Sequence, residues 1–335
     1  MKIALIGAGS WGTAVAGLVA DSVDSVAMWA HSPQTADGIN SNHVNPRYLD
    51  GYRLPDNVTA SSSLQEVIDG AEGVIFAVPS THLRPVAHEA AVYLDDSVPV
   101  LCLTKGVELT SGLLMTEVIG DEIGHPERIA ALSGPNHAEE ICRGGLSAAV
   151  IASEDPEVAE FFKAALISPA FRVYVSPDVV GVEMCGATKN IIAIVCGISA
   201  GSGYGDNTLA LIMTRGLAEI SRLVHARGGD PMTCMGLAGM GDLVATCTSE
   251  HSRNRSFGVA FAGGTTLDEY QQRSHMVVEG AAAARSVSEL ARELGVDAPL
   301  TFALERTLYH GGTLAEALEL LTDRFPTQEF YGMDD

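Results

Sequence analysis

The sequence predicts an α/β protein, with an N-terminal Rossmann-type, mainly parallel sheet followed by an all-α C-terminal domain. Three observations carry this. A glycine turn joins an apolar strand-type run to a small-residue helix over residues 2–20. Strand-type runs then alternate with helical stretches as far as residue 175. Beyond Ser176-Pro177 the strand signals stop and long helical stretches take over. The boundary therefore falls at 177, giving a dinucleotide-binding domain over 1–177 and a helical domain over 178–335. A chain of 335 residues suits two domains.

The first element is Lys2-Ile-Ala-Leu-Ile, which runs into Gly7-Ala-Gly9-Ser10-Trp11-Gly12 and the helix from Thr13 to Ala20. That context turns a bare G-x-G-x-x-G into a dinucleotide-binding motif. Gly7 makes the tight turn, Gly9 lets a pyrophosphate approach backbone, and Gly12 packs helix on strand. The helix start then offers N–H groups and a positive dipole end to phosphates. The competing reading is a glycine-rich turn of some other α/β protein.

A second strand, Ser25 to Ala30, ends at Ala30-His31-Ser32 with no acid. An Asp or Glu there would bind the ribose 2′-hydroxyl of NAD. A neutral polar pair leaves space for a 2′-phosphate, so NADP(H) is favoured and NAD(H) remains open. His31 reads equally as a surface loop histidine. The alternation continues with a helix over 63–69, strand 73–78, helix 82–94, strand 98–103, helix 113–123 and strand 128–132. Strands 147–152 and 171–175 then flank a helix over 156–166. Ser80, Lys105 and the turn Gly134 to His137 fall at strand ends, where parallel sheets bind ligands. Helical stretches follow over 178–200, 207–227, 279–294, 299–310 and 313–322.

Composition narrows the function. With 47% hydrophobic and 19% charged residues the chain is ordinary globular protein. A formal net charge of −22 lacks the basic footprint that nucleic acid or anionic membrane requires. Six cysteines without a C-x-x-C spacing read as buried reduced thiols and a cytoplasmic compartment. The strand at residue 2 leaves no room for a signal peptide, and the apolar run 191–201 is too short for a membrane span. No metal-ligand spacing occurs.

The chain has only four lysines, at 2, 105, 163 and 189, and two of them sit in uncharged, glycine-containing stretches. Lys189 shares a helix face with Val182, Gly186 and Ala193, small neighbours that leave room for a ligand. Desolvation there would bring the lysine toward the range useful for proton transfer. The bland alternative is a lysine whose stem packs while its head reaches water. A second glycine-rich loop, Gly236 to Cys247, carries one acid, Asp242. Ser252-Arg253-Asn254-Arg255 follows, just ahead of a helical stretch. Hydroxyl, guanidinium and amide donors at a helix start suit a phosphate. They equally suit an N-capped, solvated helix start.

These blocks, with Val78-Pro-Ser80, Thr104-Lys-Gly106, Ser133 to Glu140, Glu183 to Asn190 and Thr214-Arg-Gly-Leu217, stand in a familiar order. The chain resembles the bacterial soluble NAD(P)-dependent glycerol-3-phosphate dehydrogenases, from the first strand to about residue 325. The resemblance implies interconversion of sn-glycerol 3-phosphate and dihydroxyacetone phosphate, in the direction that supplies phospholipid synthesis. It makes Lys189 the general acid/base and Lys105, Gly134, Asn136 and Asp242 substrate contacts. Ser252, Arg253 and Asn254 become the phosphate clamp. Cofactor contacts fall on Gly7, Gly9, Ser10, Trp11, Gly12, His31, Lys105, Ala138, Arg253, Val277 and Glu279. Two departures are visible: Thr188 stands where the family has leucine, and Trp11 where it has tyrosine or phenylalanine. Other β-hydroxyacid dehydrogenases and a non-catalytic nucleotide sensor are the rival readings. No partner besides small molecules is expected, apart from a second copy in a homodimer.

Overall fold

The computed structural model describes residues 1–274, 277–316, 328 and 331–333. The chain divides into two compact units. The first holds Met1–Lys105 and Leu114–Val179; the second holds Gly106–Leu113 and the chain from Val180 on. Nothing in the residue pattern of 106–113 announces that this short turn groups with the helical unit.

The first unit is an eight-stranded sheet: β1 (Lys2–Ile6), β2 (Ser25–Trp29), β3 (Val58–Ser61), β4 (Gly73–Phe76), β5 (Val100–Cys102), β6 (Ile129–Ser133), β7 (Ser147–Ala152) and β8 (Phe171–Ser176). Its order is β3-β2-β1-β4-β5-β6-β7-β8, and every pair is parallel except β6 with β7. The order reverses between β1 and β4, so the carboxyl ends of these strands flank a topological switch point, where such sheets bind ligands. Its helices are α1 (Ser10–Ala20), α2 (Pro33–Asn42), α3 (Leu64–Ile68), α4 (Ser80–Ala91), α5 (Met115–Ile123), α6 (Ala138–Ile141) and α7 (Pro156–Leu166).

The physical reason for each boundary is local. β1 and β4 are continuous apolar runs, as strands covered on both faces must be. α7 starts at Pro156 behind Asp155, whose carboxylate accepts from Glu157 N at 2.8 Å. α2 and β3 carry no expectation from the sequence. α2 is polar, with only Thr35, Ala36 and Ile39 buried, and β3 is a four-residue edge strand. The core of this unit runs through Ile3, Leu5, Val15, Val19, Met28, Ile75, Leu101 and Phe162.

The second unit is built on α8 (Val179–Gly201), with α9 (Asp206–Ala226), α10 (Asp242–Thr248), α11 (Arg253–Ala262), α12 (Leu267–Ser274), α13 (Glu279–Glu293) and α14 (Pro299–Tyr309). The stretch expected to be helical over 313–322 lies largely outside the described residues. α8 is longer than its apolar run 191–201 suggests. At 23 residues, with mean hydropathy 1.6 over its most apolar stretch, it is long and apolar enough to cross a membrane by length and composition alone, which corrects the expectation that nothing here is long enough. That stretch is 83% buried, as in the core helix of a folded unit.

Close approach of backbones builds this core. A Cβ on Gly197 of α8 would lie 2.1 Å from the Arg255 carbonyl oxygen, and one on Gly258 of α11 would lie 2.2 Å from that of Ile194. Glycine at both positions lets α8 and α11 cross nearly in backbone contact. Gly280 of α13 does the same against the Asn190 carbonyl, 2.4 Å from where its Cβ would stand.

Candidate active site

In the first unit the predicted residues follow the carboxyl ends of β1, β2, β5 and β6. Gly7 has φ +127°, and a Cβ there would meet the Ala77 carbonyl at 2.5 Å. A Cβ on Gly12 would lie 2.0 Å from the Gly7 carbonyl. Gly9 has nothing within 4 Å of its Cβ position. The first and third glycines are thus required by packing, while the second stands beside open space. Gly9 is also the N-cap of α1 and supplies no side-chain cap, so no side-chain oxygen of its own occupies the first-turn N–H groups. Ser10 and Trp11, both half-buried, open the helix. The turn fits a pyrophosphate.

β2 ends at Trp29, and the exposed His31 stacks on the Trp29 ring with centroids 6.0 Å apart. Ser32 is the N-cap of α2, with Oγ 2.8 Å from Gln34 Oε1. Lys105 is half-buried just beyond β5, where the Thr104 hydroxyl donates to the Val78 carbonyl at 2.7 Å and ties the neighbouring strand ends. After β6, Gly134 adopts φ +151° with its Cβ position 2.7 Å from the Ala148 carbonyl. The Asn136 Nδ2 donates to that same carbonyl at 2.9 Å, which fixes the amide's orientation. Its Oδ1 is buried and accepts no hydrogen bond among the described residues. A buried acceptor without a donor is costly, and a ligand hydroxyl would relieve it. Ala138 opens α6 directly behind it.

In the second unit α8 is buried from Gly181 to Ile194 without a break. The face of Val182, Gly186, Lys189 and Ala193 is therefore buried along its length. Lys189 is 7% exposed. Its Nζ donates to Asp242 Oδ1 at 2.7 Å and to Thr246 Oγ1 at 2.6 Å. The Thr246 hydroxyl in turn donates to Asp242 Oδ1 at 3.1 Å. A buried ion pair is tolerated only when its polar atoms are satisfied this way. Residues Leu237–Gly241, ahead of α10, form a wide π-type turn, closed by Gly241 N donating to the Gly236 carbonyl at 3.1 Å. Such turns recur at functional sites because they re-aim the residue that follows, here Asp242.

Thr246 carries no expectation from the sequence. Its signal is visible afterwards: Asp242 and Thr246 stand four apart and share a helix face.

The start of α11 settles part of the choice between phosphate donor and helix cap. Ser252 is the N-cap, its Oγ accepting from Arg255 N at 3.3 Å. The capping reading thus holds for its oxygen, and the hydroxyl proton remains available to donate. Arg253, at the first helical position, is exposed. Asn254 is buried, and its Oδ1 accepts from Gly280 N at 2.9 Å, leaving two N–H donors on the amide. Glu279 opens α13, its carboxylate 3.5 Å from Asn190 Nδ2, the residue after Lys189. Val277 is exposed just ahead of it. Within this unit, then, the starts of α10, α11 and α13 are tied to one another or to the middle of α8.

All six cysteines are free thiols. Cys185 and Cys234 lie 3.5 Å apart. Its hydrogen bond to Cys196, together with burial, raises the Cys247 thiol well above the ordinary range. A thiol so raised is a packing group and not a nucleophile. Among the described residues no group of three or more His, Cys, Asp or Glu side chains could hold a metal ion.

Known proteins match along the whole chain. The N-terminal family model of NAD-dependent glycerol-3-phosphate dehydrogenase covers residues 2–159, and the C-terminal one covers 178–319. The glycerol-3-phosphate dehydrogenase [NAD(P)+] of Chlorobium phaeobacteroides is 44% identical, aligned over 99% of this chain and 100% of the relative. The chain belongs to the NAD-dependent glycerol-3-phosphate dehydrogenase family. Its members are oxidoreductases acting on CH–OH groups. The Anaeromyxobacter enzyme of the same name is 44% identical over 97% of this chain and 98% of the relative. A crystal structure of glycerol-3-phosphate dehydrogenase from Coxiella burnetii superposes with TM-score 0.92 at 36% identity, covering 96% of this chain and 99% of that one. A ketopantoate reductase from Ralstonia eutropha, TM-score 0.57 at 19% identity, covering 92% of this chain and 97% of that one, shares the fold alone.

Proposed function

We propose that this family member interconverts sn-glycerol 3-phosphate and dihydroxyacetone phosphate with NADP(H) favoured and NAD(H) accepted, and that it supplies glycerol 3-phosphate to phospholipid synthesis. The observation that carries the reading is the buried Lys189, held by Asp242 and Thr246. The bound nicotinamide supplies or accepts the hydride. Lys189 gives a proton to the C2 oxygen as the ketone is reduced and takes it back in the reverse direction. Asp242 and Thr246 hold the Nζ in place, so its position costs no reorganisation at the moment of transfer.

Lys105, Gly134 and Asn136 are the substrate contacts of this reading. The unpartnered Asn136 Oδ1 suits the C1 hydroxyl. Ser252, Arg253 and Asn254 are its phosphate clamp, with the hydroxyl proton, guanidinium and amide N–H groups as donors. The cofactor is assigned to Gly7, Gly9, Ser10, Trp11 and Gly12 for the pyrophosphate, and to His31, Lys105, Ala138, Arg253, Val277 and Glu279 beyond it. The open space at Gly9 supports the first assignment, and the missing acid after Trp29 supports the preference for NADP(H).

The reading also includes a cytoplasmic location, supported by six free thiols, and a homodimer. The exposed apolar side chains of Leu211, Met232, Met235 and Val244 on the helical unit support the second copy. The deciding assay follows NADPH oxidation when dihydroxyacetone phosphate is added to the purified protein. Rapid oxidation supports the dehydrogenase. Tight NADPH binding without turnover would replace it with the sensor reading.

A further inference from the structure

Asn45 is 2% exposed, and its carboxamide makes every hydrogen bond it can. Nδ2 donates to the Ala8 carbonyl at 3.0 Å and to the Thr13 hydroxyl at 2.8 Å. Oδ1 accepts from the backbone of Arg47 at 3.0 Å and of Tyr48 at 3.3 Å. The two donors reach opposite ends of the glycine turn: Ala8 lies between its first two glycines, and Thr13 follows its last. Thr13 N closes the first turn of α1 onto the Gly9 carbonyl at 2.9 Å. Asn45 therefore clamps, from both ends, the stretch that carries the first-turn N–H groups of α1.

We propose that Asn45 is a positioning residue for the cofactor, acting through the Ala8–Gly9 peptide. This rests on the reading of the turn as a pyrophosphate site. The Ala8 C=O and the Gly9 N–H belong to one planar trans peptide and point in opposite directions. Drawing the carbonyl inward onto Asn45 turns the Gly9 N–H away from it, at a residue with nothing within 4 Å of its Cβ position. The glycine there provides freedom and room, and freedom alone leaves the peptide able to rotate. Asn45 removes that rotation before the ligand arrives, so binding need not bear the ordering cost. The asparagine touches no cofactor atom in this account. It sets the direction of a donor.

The test compares two ligands on the full-length protein. ADP-ribose carries the pyrophosphate and AMP lacks it, so only the first uses the Gly9 N–H. In Asn45→Ala, ADP-ribose affinity should fall by roughly tenfold, the range expected for one misdirected charge-assisted bond, while AMP affinity stays within about twofold. Thr13→Val removes one of the two anchors without changing side-chain volume and should act in the same direction by about threefold. It also decides the matter if the alanine variant fails to fold. Titration calorimetry, with melting temperatures alongside, gives both readouts. Equal losses for the two ligands would make Asn45 a general packing residue and overturn the proposal. Unchanged ADP-ribose affinity in both variants would overturn it too. If the unmodified protein binds ADP-ribose no better than AMP, the pyrophosphate reading itself fails, and that outcome is distinct from any behaviour of the variants.

Discussion

Lys189 Nζ lies 2.7 Å from Asp242 Oδ1, with the two side chains only 8% and 3% exposed. The pair joins the middle of α8 to the first residue of α10, so one contact serves packing and, in the proposed reaction, chemistry. In the proposed reaction, removing the lysine removes the proton donor. Lys189→Ala should lower kcat by roughly 10²–10⁴-fold, the usual worth of a general acid/base. NADPH affinity, followed by fluorescence titration, should stay near that of the unmodified protein. A loss of only a few-fold in kcat would reduce Lys189 to a packing role.

Removing the acid has a different signature. Asp242→Ala leaves a buried ammonium without its counter-charge, and breaking such a pair costs about 3–5 kcal/mol of stability. Denaturant unfolding should show that loss. A variant as stable as the parent would mean that water reaches Lys189 freely, against its 7% exposure. The Thr246 hydroxyl bridges the same two groups, so Thr246→Val should lower kcat with a smaller effect on stability.

The parallel sheet and its glycine turn are legible because they rest on local rules. An apolar run before Gly7-Ala-Gly9-Ser10-Trp11-Gly12 and small residues after it admit few other folds. α2 and β3 escape notice because each buries few residues and so carries little pattern. The site in the second unit is legible by scarcity, since a lysine in an acidic chain stands out. What the scarcity does not contain is the partner. Thr246 is joined to Lys189 across 57 residues, a separation that no local pattern spans. Ser252 shows the opposite case, a residue type suited to two roles whose backbone geometry reveals the cap.

With cofactor saturating, so that its proposed cofactor contact does not limit the rate, Arg253 should act on the substrate through the phosphate. Its side chain is exposed at the first position of α11, behind a cap already satisfied by Ser252. Arg253→Ala should raise KM for dihydroxyacetone phosphate by at least roughly tenfold, the worth of one charge-assisted hydrogen bond. Activity on unphosphorylated dihydroxyacetone should hardly change. Equal effects on both substrates would remove Arg253 from the clamp.

The proposed preference for NADP(H) rests on the end of β2. His31 stacks beside Trp29 and no carboxylate follows the strand before α2. The kcat/KM ratio should therefore favour NADPH over NADH. Ser32→Asp places a carboxylate there while keeping a good N-cap for α2. The substitution should lower kcat/KM for NADPH by roughly tenfold through repulsion of the 2′-phosphate and leave NADH turnover intact. An unmodified enzyme that prefers NADH would overturn this reading of 30–32.

Stability should respond to pH through Glu219 of α9. Its carboxylate is fully buried and accepts from Leu300 N at 2.9 Å, Thr301 N at 3.0 Å and the Thr301 hydroxyl, holding the start of α14. Burial raises its pKa above the usual 4.5, and the hydrogen bonds to Thr301 and Leu300, with the Arg222 charge, oppose that rise without cancelling it. The native state then binds a proton that the unfolded chain has already released. Between the ordinary carboxylate pKa and the raised native one, stability must fall as pH rises. Glu219→Gln cannot titrate. The difference in unfolding free energy between parent and variant should shift against the parent as pH climbs from about 4.5 toward neutrality. Measuring both proteins across that range cancels every other titrating group. A constant difference would show that the hydrogen bonds offset burial in full and that the carboxylate titrates at its ordinary value.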